Sequence, residues 1–172
     1  MKSIAVLLTV FNRKKKTLQS LERLYKLLPL DDIQVDVYLT DDGCTDGTPE
    51  AVTEHFPQVY IIHAKGDLFW NRGMWTAWDT AAKTKKYDFY LWLNDDTFVY
   101  DNMLEVLIEA ALETKEKAII VGATESTDHS NITYGGRLKD GKIPSPNGRL
   151  VKVKYFNGNI VLIPQAVYNV LG

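Results

Sequence analysis

The sequence predicts an α/β fold in which a doubly wound, mainly parallel β-sheet carries helices on both faces. Short continuous runs of apolar residues, typical of strands covered on both sides, alternate along residues 1–121 with segments whose apolar residues recur every three or four positions. Such an alternation of strand and helix is typical of a parallel sheet. The 172 residues, 45% of them hydrophobic, suit one domain with a continuous core.

The first half of the alternation begins with Ile4–Val10, a continuous apolar run that predicts a strand buried on both faces. Apolar residues three and four apart then predict a helix over 18–28, which Pro29 ends. Val35–Thr40 predicts the second strand, and the acidic, glycine-containing stretch after it predicts a loop. A Thr-Pro pair opens the next predicted helix, 48–55, with the threonine as its N-cap.

The second half repeats the pattern. Val59–His63 predicts the third strand, and a helix is expected over 74–84. Phe89–Leu93 predicts the fourth strand, which runs directly into an Asn-Asp-Asp sequence. An Asn and a Glu at capping-box spacing open a predicted helix over 102–115, and Ala118–Val121 predicts the fifth strand.

The composition changes from about residue 123 onward. Residues 123–150 are rich in Gly, Ser, Thr, Asn and Pro, with one predicted strand at Ile132–Tyr134. Two further strands are predicted at Leu150–Phe156 and Ile160–Ile163, and a helix is expected to begin at Gln165.

Charge and cysteine content exclude several classes of protein. The chain has 20 Lys and Arg against 22 Asp and Glu, and its net charge of −2 gives no reason to expect nucleic acid as a partner. The only cysteine, Cys44, excludes a disulfide framework. No stretch approaches ~18 uninterrupted apolar residues and no cleavage site follows the first strand, so neither a membrane span nor a signal peptide is expected. We therefore expect a cytoplasmic protein.

Polar clusters follow three of the predicted strands. Because ligands bind outside the carboxyl ends of parallel strands, clusters in these positions predict a shared ligand site. Helix capping would explain any one of them alone. The clusters are Asn12-Arg13, Asp41-Asp42 and Asn94-Asp95-Asp96.

The cluster after the fourth strand is the most informative. Asp95 and Asp96 are adjacent carboxylates at the end of a buried strand, an arrangement that is costly unless a cation relieves the repulsion. Oxygen ligands of this kind suit Mg²⁺ or Mn²⁺, which commonly bridge to substrate phosphates. Helix capping by either acid is the alternative.

In their order and spacing these motifs resemble those of the family 2 glycosyltransferases, which have the glycosyltransferase A fold and bind nucleotide-sugars. The segment Thr9–Arg13 is similar to the first nucleotide-contacting edge of the family, and 41–48 is similar to its acidic turn. Asn94-Asp95-Asp96 stands where the family carries its Asp-x-Asp motif. Residues 68–74 resemble a segment of bacterial rhamnosyltransferase-like members, and the whole resemblance covers nearly the entire chain.

The resemblance implies a role for each cluster. Asp41 would hydrogen-bond the nucleotide base, Asp95 would face the ribose or a metal-bound water, and Asp96 would ligate the Mg²⁺ or Mn²⁺ that neutralises the leaving diphosphate. Asn94 would orient a ribose hydroxyl but adds no charge. The implied metal ligands are thus Asp96 and Asp95, and the implied donor-binding residues are Thr9, Phe11, Asn12, Arg13, Asp41, Asp42, Asn71, Gly73, Asn94 and Asp95.

The segment after the third strand contributes further candidates. Asn71 and Gly73 would let the backbone approach the diphosphate, because glycine tolerates a positive φ; a helix cap is the alternative. Trp70, Trp75 and Trp78 are candidates for stacking on a sugar or base. The last two are three residues apart on a predicted helix, so core packing is expected for at least one of them.

The function implied is transfer of a sugar from a nucleotide-diphosphate sugar to a saccharide or lipid-linked acceptor, with inversion, in cell-surface polysaccharide biosynthesis. The single domain, 1–172, would comprise a donor-binding half, 1–121, and an incomplete acceptor-side half, 122–172. The protein would act in the cytoplasm or, peripherally attached, at the inner face of the membrane. Lys14–Lys16 would either attract an anionic donor or membrane, or simply form a solvated helix start. The sequence does not fix the oligomeric state.

An inverting transfer needs a general base, which the resembling family carries beyond the helix that begins here near Gln165. The sequence ends at Gly172, so the expectation is a truncated enzyme whose base lies further on, with Glu125 and Asp128 as the alternatives inside the chain. A non-catalytic nucleotide-sugar-binding module therefore stays open. A sugar-phosphate nucleotidyltransferase is less favoured, because no glycine-rich phosphate loop follows the first strand.

Overall fold

The computed structural model of the protein describes residues 1–171. Its helices are α1 (Lys14–Lys26), α2 (Thr48–His55), α3 (Phe69–Thr84), α4 (Met103–Glu113) and α5 (Gln165–Leu171). Its strands are β1 (Lys2–Val10), β2 (Ile33–Asp41), β3 (Tyr60–His63), β4 (Phe89–Leu93), β5 (Ile120–Val121), β6 (Thr124–Glu125), β7 (Ile132–Tyr134), β8 (Gly136–Arg137), β9 (Tyr155–Phe156) and β10 (Ile160–Pro164).

Six strands form one sheet in the order β3-β2-β1-β4-β10-β5. The first four are parallel neighbours, whereas β10 is antiparallel to both β4 and β5. The prediction of a mainly parallel sheet is therefore confirmed. The alternation of elements did not predict that a strand from the end of the chain lies between β4 and β5. All five residues of β10 are buried, so this strand needs a neighbour on each edge and cover on both faces.

The side chains of β1 alternate between two helical layers. Ile4, Val6 and Leu8 pack in a core with residues of α1, α2 and α4. Ala5 and Leu7 point the other way and pack with residues of α3 and β10. Because successive side chains of a strand face opposite sides, this alternation places helices on both faces of the sheet, as predicted.

Helix α3 begins at Phe69, earlier than the predicted start at 74. The Asp42 carboxylate accepts the backbone N–H groups of Leu68 and Phe69 at 3.1 and 2.8 Å. The first N–H groups of a helix have no partner within the helix, so a carboxylate from the end of β2 fixes where α3 starts. This cap comes from a distant part of the sequence, which explains why a local pattern did not predict it.

Three details of caps and strand pairing also differ from the predictions. Gly47, in the left-handed region, is the N-cap of α2, and Thr48 is its first helical residue. Asn102 precedes α4 as predicted, but its side chain makes no capping hydrogen bond. Of the predicted strand 150–156 only β9 pairs, with β8. Leu150 and Val151 instead lie in an exposed loop.

The region between β5 and β10 lies outside the large sheet and forms two small antiparallel sheets, β6–β7 and β8–β9. No helix within residues 1–171 is long and apolar enough to cross a membrane.

Candidate functional site

A cleft of about 540 Å³ opens where β1, β2 and β4 end. The expectation that the polar clusters share one sheet edge agrees with this geometry, since all three clusters contribute to the wall of the cleft. The predicted residues that line it are Thr9, Phe11, Arg13, Asp42, Asn94, Asp95 and Asp96.

Arg13 links the two carboxylates of the motif that follows β4. Its Nη1 donates to Asp96 Oδ2 at 2.6 Å and lies 3.5 Å from Asp95 Oδ1. Lys16 Nζ is 3.9 Å from the same Asp96 oxygen. The repulsion between the adjacent acids is thus relieved in part by cations of the protein itself.

Asp95 nevertheless keeps one polar atom without a partner. The residue is only 6% exposed, and its Oδ2 has no hydrogen-bond partner in the part of the chain that the structure describes. Burial raises the pKa of Asp95 to about 6; Arg13 opposes this shift and Asp96 adds to it. A buried carboxylate oxygen without a partner is costly, so this atom is a natural ligand for a group that the chain does not supply.

Asp42 has the opposite character, although it also lines the cleft and is equally buried. Both of its carboxylate oxygens accept hydrogen bonds from the backbone at the start of α3. Its carboxylate therefore fixes the position of α3 beside the cleft, as a helix cap supplied by another element.

Asp41, next to it, does not line the cleft wall. Its Oδ1 accepts the Cys44 N–H at 2.8 Å, and its Oδ2 lies 2.9 Å from His63 Nδ1. Burial acts against ionisation, but the hydrogen bonds from Cys44 and His63 outweigh it and hold the pKa of Asp41 below its usual value. The carboxylate is therefore charged and well supported at the end of β2.

Trp70 fixes the orientation of Asn94. The indole Nε1–H donates to Asn94 Oδ1 at 2.8 Å, and an indole nitrogen can only donate. The Nδ2 of Asn94 therefore takes no part in this contact and is left as a donor. Asn94, Asp95 and Asp96 all line the cleft, so the motif presents one N–H donor and two carboxylates to a ligand there.

The loop before β10 supports this tryptophan. A Cβ on Gly158 would lie 2.5 Å from the Trp70 ring, so any larger residue there would displace the ring. The Trp92 ring packs edge-on against Trp70 with centroids 5.9 Å apart. The Asn94 N–H donates to the Asn159 carbonyl at 3.0 Å, which joins the motif to the same loop.

Besides Asp41, three more of the predicted donor-binding residues do not line the cleft. Asn12 has φ 51° and accepts the Thr45 N–H at 2.7 Å, so it joins the loop after β1 to the acidic turn. Asn71 is an exposed residue of α3. Gly73 is buried in the same helix, so the expected positive φ is wrong; a Cβ there would lie 2.1 Å from Thr9 Oγ1. Gly73 lets α3 pack closely against β1.

The tryptophans of α3 divide as their spacing suggested. Trp78 packs against the rings of Tyr90, Trp92 and Tyr168, which confirms core packing for one of the pair. Trp75 is 62% exposed and does not line the cleft.

The sequence did not predict that Tyr134 and Asn159 line the cleft, or that Gly158 supports it. The available signal was the turn-forming run Asn157-Gly158-Asn159 before a fully apolar strand. Such a run ordinarily indicates only a turn. Its place at the cleft depends on β10 lying beside β4.

Asp95 and Asp96 supply two carboxylates in the cleft, and carboxylate oxygens are ligands that a divalent cation prefers. Within the described residues no group of three or more His, Cys, Asp and Glu side chains is placed to hold a metal ion. Mg²⁺ and Mn²⁺ commonly take one or two protein carboxylates and complete their coordination with water and substrate phosphates. Asp96 and the unpartnered oxygen of Asp95 fit that mode.

Ligands of open α/β sheets bind in a cleft outside the carboxyl ends of the strands, and this chain has such a cleft. The model of glycosyl transferase family 2 matches residues 5–169, and the chain belongs to this family. No curated protein sequence is similar enough to this chain to count as a relative.

Solved structures share the fold. The mannosyltransferase PcManGT from Pyrobaculum calidifontis, in complex with GDP-Man and Mn²⁺, superposes with a TM-score of 0.67 at 16% identity, over 98% of this chain and 46% of its own. Residues 1–349 of S. aureus TarS give 0.67 at 15% identity, over 99% of this chain and 49% of that one. This chain therefore spans about half the length of these two solved structures.

Proposed function

We propose that the protein takes part in sugar transfer from a nucleotide-diphosphate sugar to a saccharide or lipid-linked acceptor, with Mg²⁺ or Mn²⁺ and with inversion at the sugar. The observation that carries the proposal is the unpartnered, buried oxygen of Asp95 beside Asp96 in the cleft. Family membership supports the proposal, as does a similar fold solved with GDP-Man and Mn²⁺.

Asp95 and Asp96 would hold the cation, which when bound neutralises charge on the leaving diphosphate. Arg13, half exposed at the mouth of the cleft, would exchange its contact with Asp96 for the phosphate oxygens of the donor. The free amide N–H of Asn94 would donate a hydrogen bond to the bound nucleotide-sugar. Thr9 and Phe11 would line the nucleotide pocket, with Asp41 at its base-binding end.

We assign no general base within the described residues. Glu125 already accepts a hydrogen bond from Tyr100 and lies beside His129. Asp128 accepts hydrogen bonds from Ser126 and Ser130, which hold its pKa low, at about 2. Because neither acid lines the cleft, a nucleotide-sugar-binding module without turnover is the second candidate function.

We further propose that residues 1–121 bind the donor and 122–172 contribute to the acceptor side. The proposed setting is cell-surface polysaccharide synthesis, in the cytoplasm or at the inner face of the membrane. A lipid-linked acceptor would require the second of these locations.

Calorimetric titration with UDP, dTDP and GDP, each with and without Mn²⁺, tests the binding step. We expect one nucleotide to bind, and to bind more tightly with Mn²⁺. Failure of all three under both conditions would overturn the proposal. Product formation from the matching nucleotide-sugar then separates an enzyme from a binding module.

A further inference from the structure

Residues 136–156, here called the basic loop, differ in charge from the rest of the chain. The basic loop contains six Lys and Arg and one acid, a net charge of +5, whereas the whole chain has −2 and the remainder therefore −7. A separation of charge this large within one domain indicates a surface that attracts anions. The basic residues are Arg137, Lys139, Lys142, Arg149, Lys152 and Lys154.

The protein itself neutralises little of this charge. Within the described residues, only Lys142 of the six lies within ion-pair distance of a carboxylate, 3.6 Å from Asp140. Lys139, Lys152 and Lys154 are exposed and, with Asp140 as the one acid, line a shallow depression of about 600 Å³. Lys139 follows β8, and Lys152 and Lys154 precede β9. The pairing of β8 with β9 brings these two segments together.

Apolar side chains are exposed among these cations. Leu150 and Val151 are 46% and 44% exposed, and Tyr155 and Phe156 at the base of the loop are 53% and 40% exposed. A soluble polyanion would satisfy the lysines but would leave these side chains in water. An anionic bilayer satisfies both, since its surface attracts basic residues and its interface takes up apolar and aromatic side chains.

We propose that the basic loop is the surface by which the protein docks on a bilayer containing anionic phospholipid. The proposal deepens the proposed function, because it gives an enzyme with a lipid-linked acceptor a membrane-facing side. Its test does not depend on sugar transfer, so the two can fail separately.

The test is co-sedimentation of the full chain with vesicles made of equal parts phosphatidylglycerol and phosphatidylcholine, compared with phosphatidylcholine alone. Each basic residue near an anionic bilayer strengthens binding by roughly fivefold, so replacing Lys139, Lys152 and Lys154 with Gln should weaken it by roughly 100-fold. The matched control replaces Lys14, Lys15 and Lys16 with Gln. It removes the same charge from the start of α1 and should leave vesicle binding within a few-fold of wild type.

A second variant, Leu150→Ser with Val151→Ser, tests the apolar contribution at unchanged charge. It should weaken binding to the vesicles but not to heparin, a soluble polyanion. Unchanged thermal unfolding of these exposed-site variants verifies that they fold. The proposal is overturned if wild type ignores the anionic vesicles, if the α1 control loses binding as much as the loop variant, or if the serine variant binds the vesicles like wild type.

Discussion

Two pairs of adjacent aspartates stand at the same edge of the sheet and have opposite environments. Asp41 and Asp42, at the end of β2, have all four carboxylate oxygens in contact with donors of the protein. Asp95 and Asp96, after β4, include a buried oxygen without a partner. The pKa of Asp41 is lowered by its hydrogen bonds despite burial, whereas burial raises that of Asp95 to about 6.

This difference shows what an acidic pair at a sheet edge can do. The pair at the end of β2 accepts hydrogen bonds within the protein, which hold the acidic turn and the start of α3 in place. The pair after β4 keeps one carboxylate oxygen, Oδ2 of Asp95, without a hydrogen-bond partner, and this oxygen is available to a ligand. Substitution of the pair after β4 should therefore affect metal-dependent binding, whereas substitution of the pair at the end of β2 should affect stability or metal-independent binding.

The largest effect is expected from Asp95→Asn or Asp96→Asn. Removing a metal ligand should weaken Mn²⁺-dependent nucleotide binding by roughly 100-fold or more, beyond what the loss of a second-sphere group costs. Asp41→Ala removes the support of the acidic turn beside the pocket, so it should instead weaken nucleotide binding equally with and without Mn²⁺. Calorimetric titration of the three variants measures both effects. If Mn²⁺ changed the nucleotide affinity of all three variants equally, the proposed division into a metal-binding pair and a metal-independent pair would be wrong.

Asp42→Ala should lower the free energy of unfolding by about 1–2 kcal/mol, because it removes the cap of α3 and leaves two part-buried N–H groups without their acceptor. Asp42→Asn keeps one acceptor oxygen and should lie between wild type and alanine. Chemical denaturation measures the series. A loss of stability in Asp95→Asn as large as that in Asp42→Ala would erase the contrast between the pairs.

The pH dependence of stability should also separate the pairs. The pKa of Asp95 in the folded protein, about 6, lies above its ordinary value of 3.8, so folding favours the protonated form. Its contribution is therefore fully present below about pH 4 and is lost as pH rises through 6, by roughly 2 kcal/mol. The measurement is the unfolding free energy of wild type minus that of Asp95→Asn from pH 4 to 7. If this difference in unfolding free energy did not change with pH, the raised pKa of Asp95 would be contradicted.

The smallest effect is expected from Trp70→Phe, which keeps an aromatic ring but removes the donor to Asn94. Freed from that bond, the amide can turn, and nucleotide affinity should fall by roughly fivefold, the value of one hydrogen bond of about 1 kcal/mol. Trp75→Phe, on the exposed side of the same helix, is the matched control and should change nothing. An equal loss in both variants would point to the helix rather than to Asn94.

Several features of the site follow from local sequence and were predicted. The strands before the acids are continuous apolar runs, and the carboxyl ends of parallel strands meet at one edge. Seven of the predicted residues accordingly line one cleft. Gly73 was misjudged because the sequence does not show which glycine serves a loop and which serves the packing of α3 on β1.

The sequence by itself determined the alternation of strands and helices, the sheet edge that carries the acids, and the presence of two acidic pairs there. These depend on periodicity and chain order, which are local properties. Only the tertiary structure decided which pair is satisfied, because the donors to Asp42 come from the start of α3 and the partner of Asp41 comes from β3. It also decided that the loop before β10 supports Trp70, since an antiparallel strand from the end of the chain lies beside β4. Hydrogen bonds between distant segments depend on how those segments pack in three dimensions, and the local sequence pattern does not specify that packing.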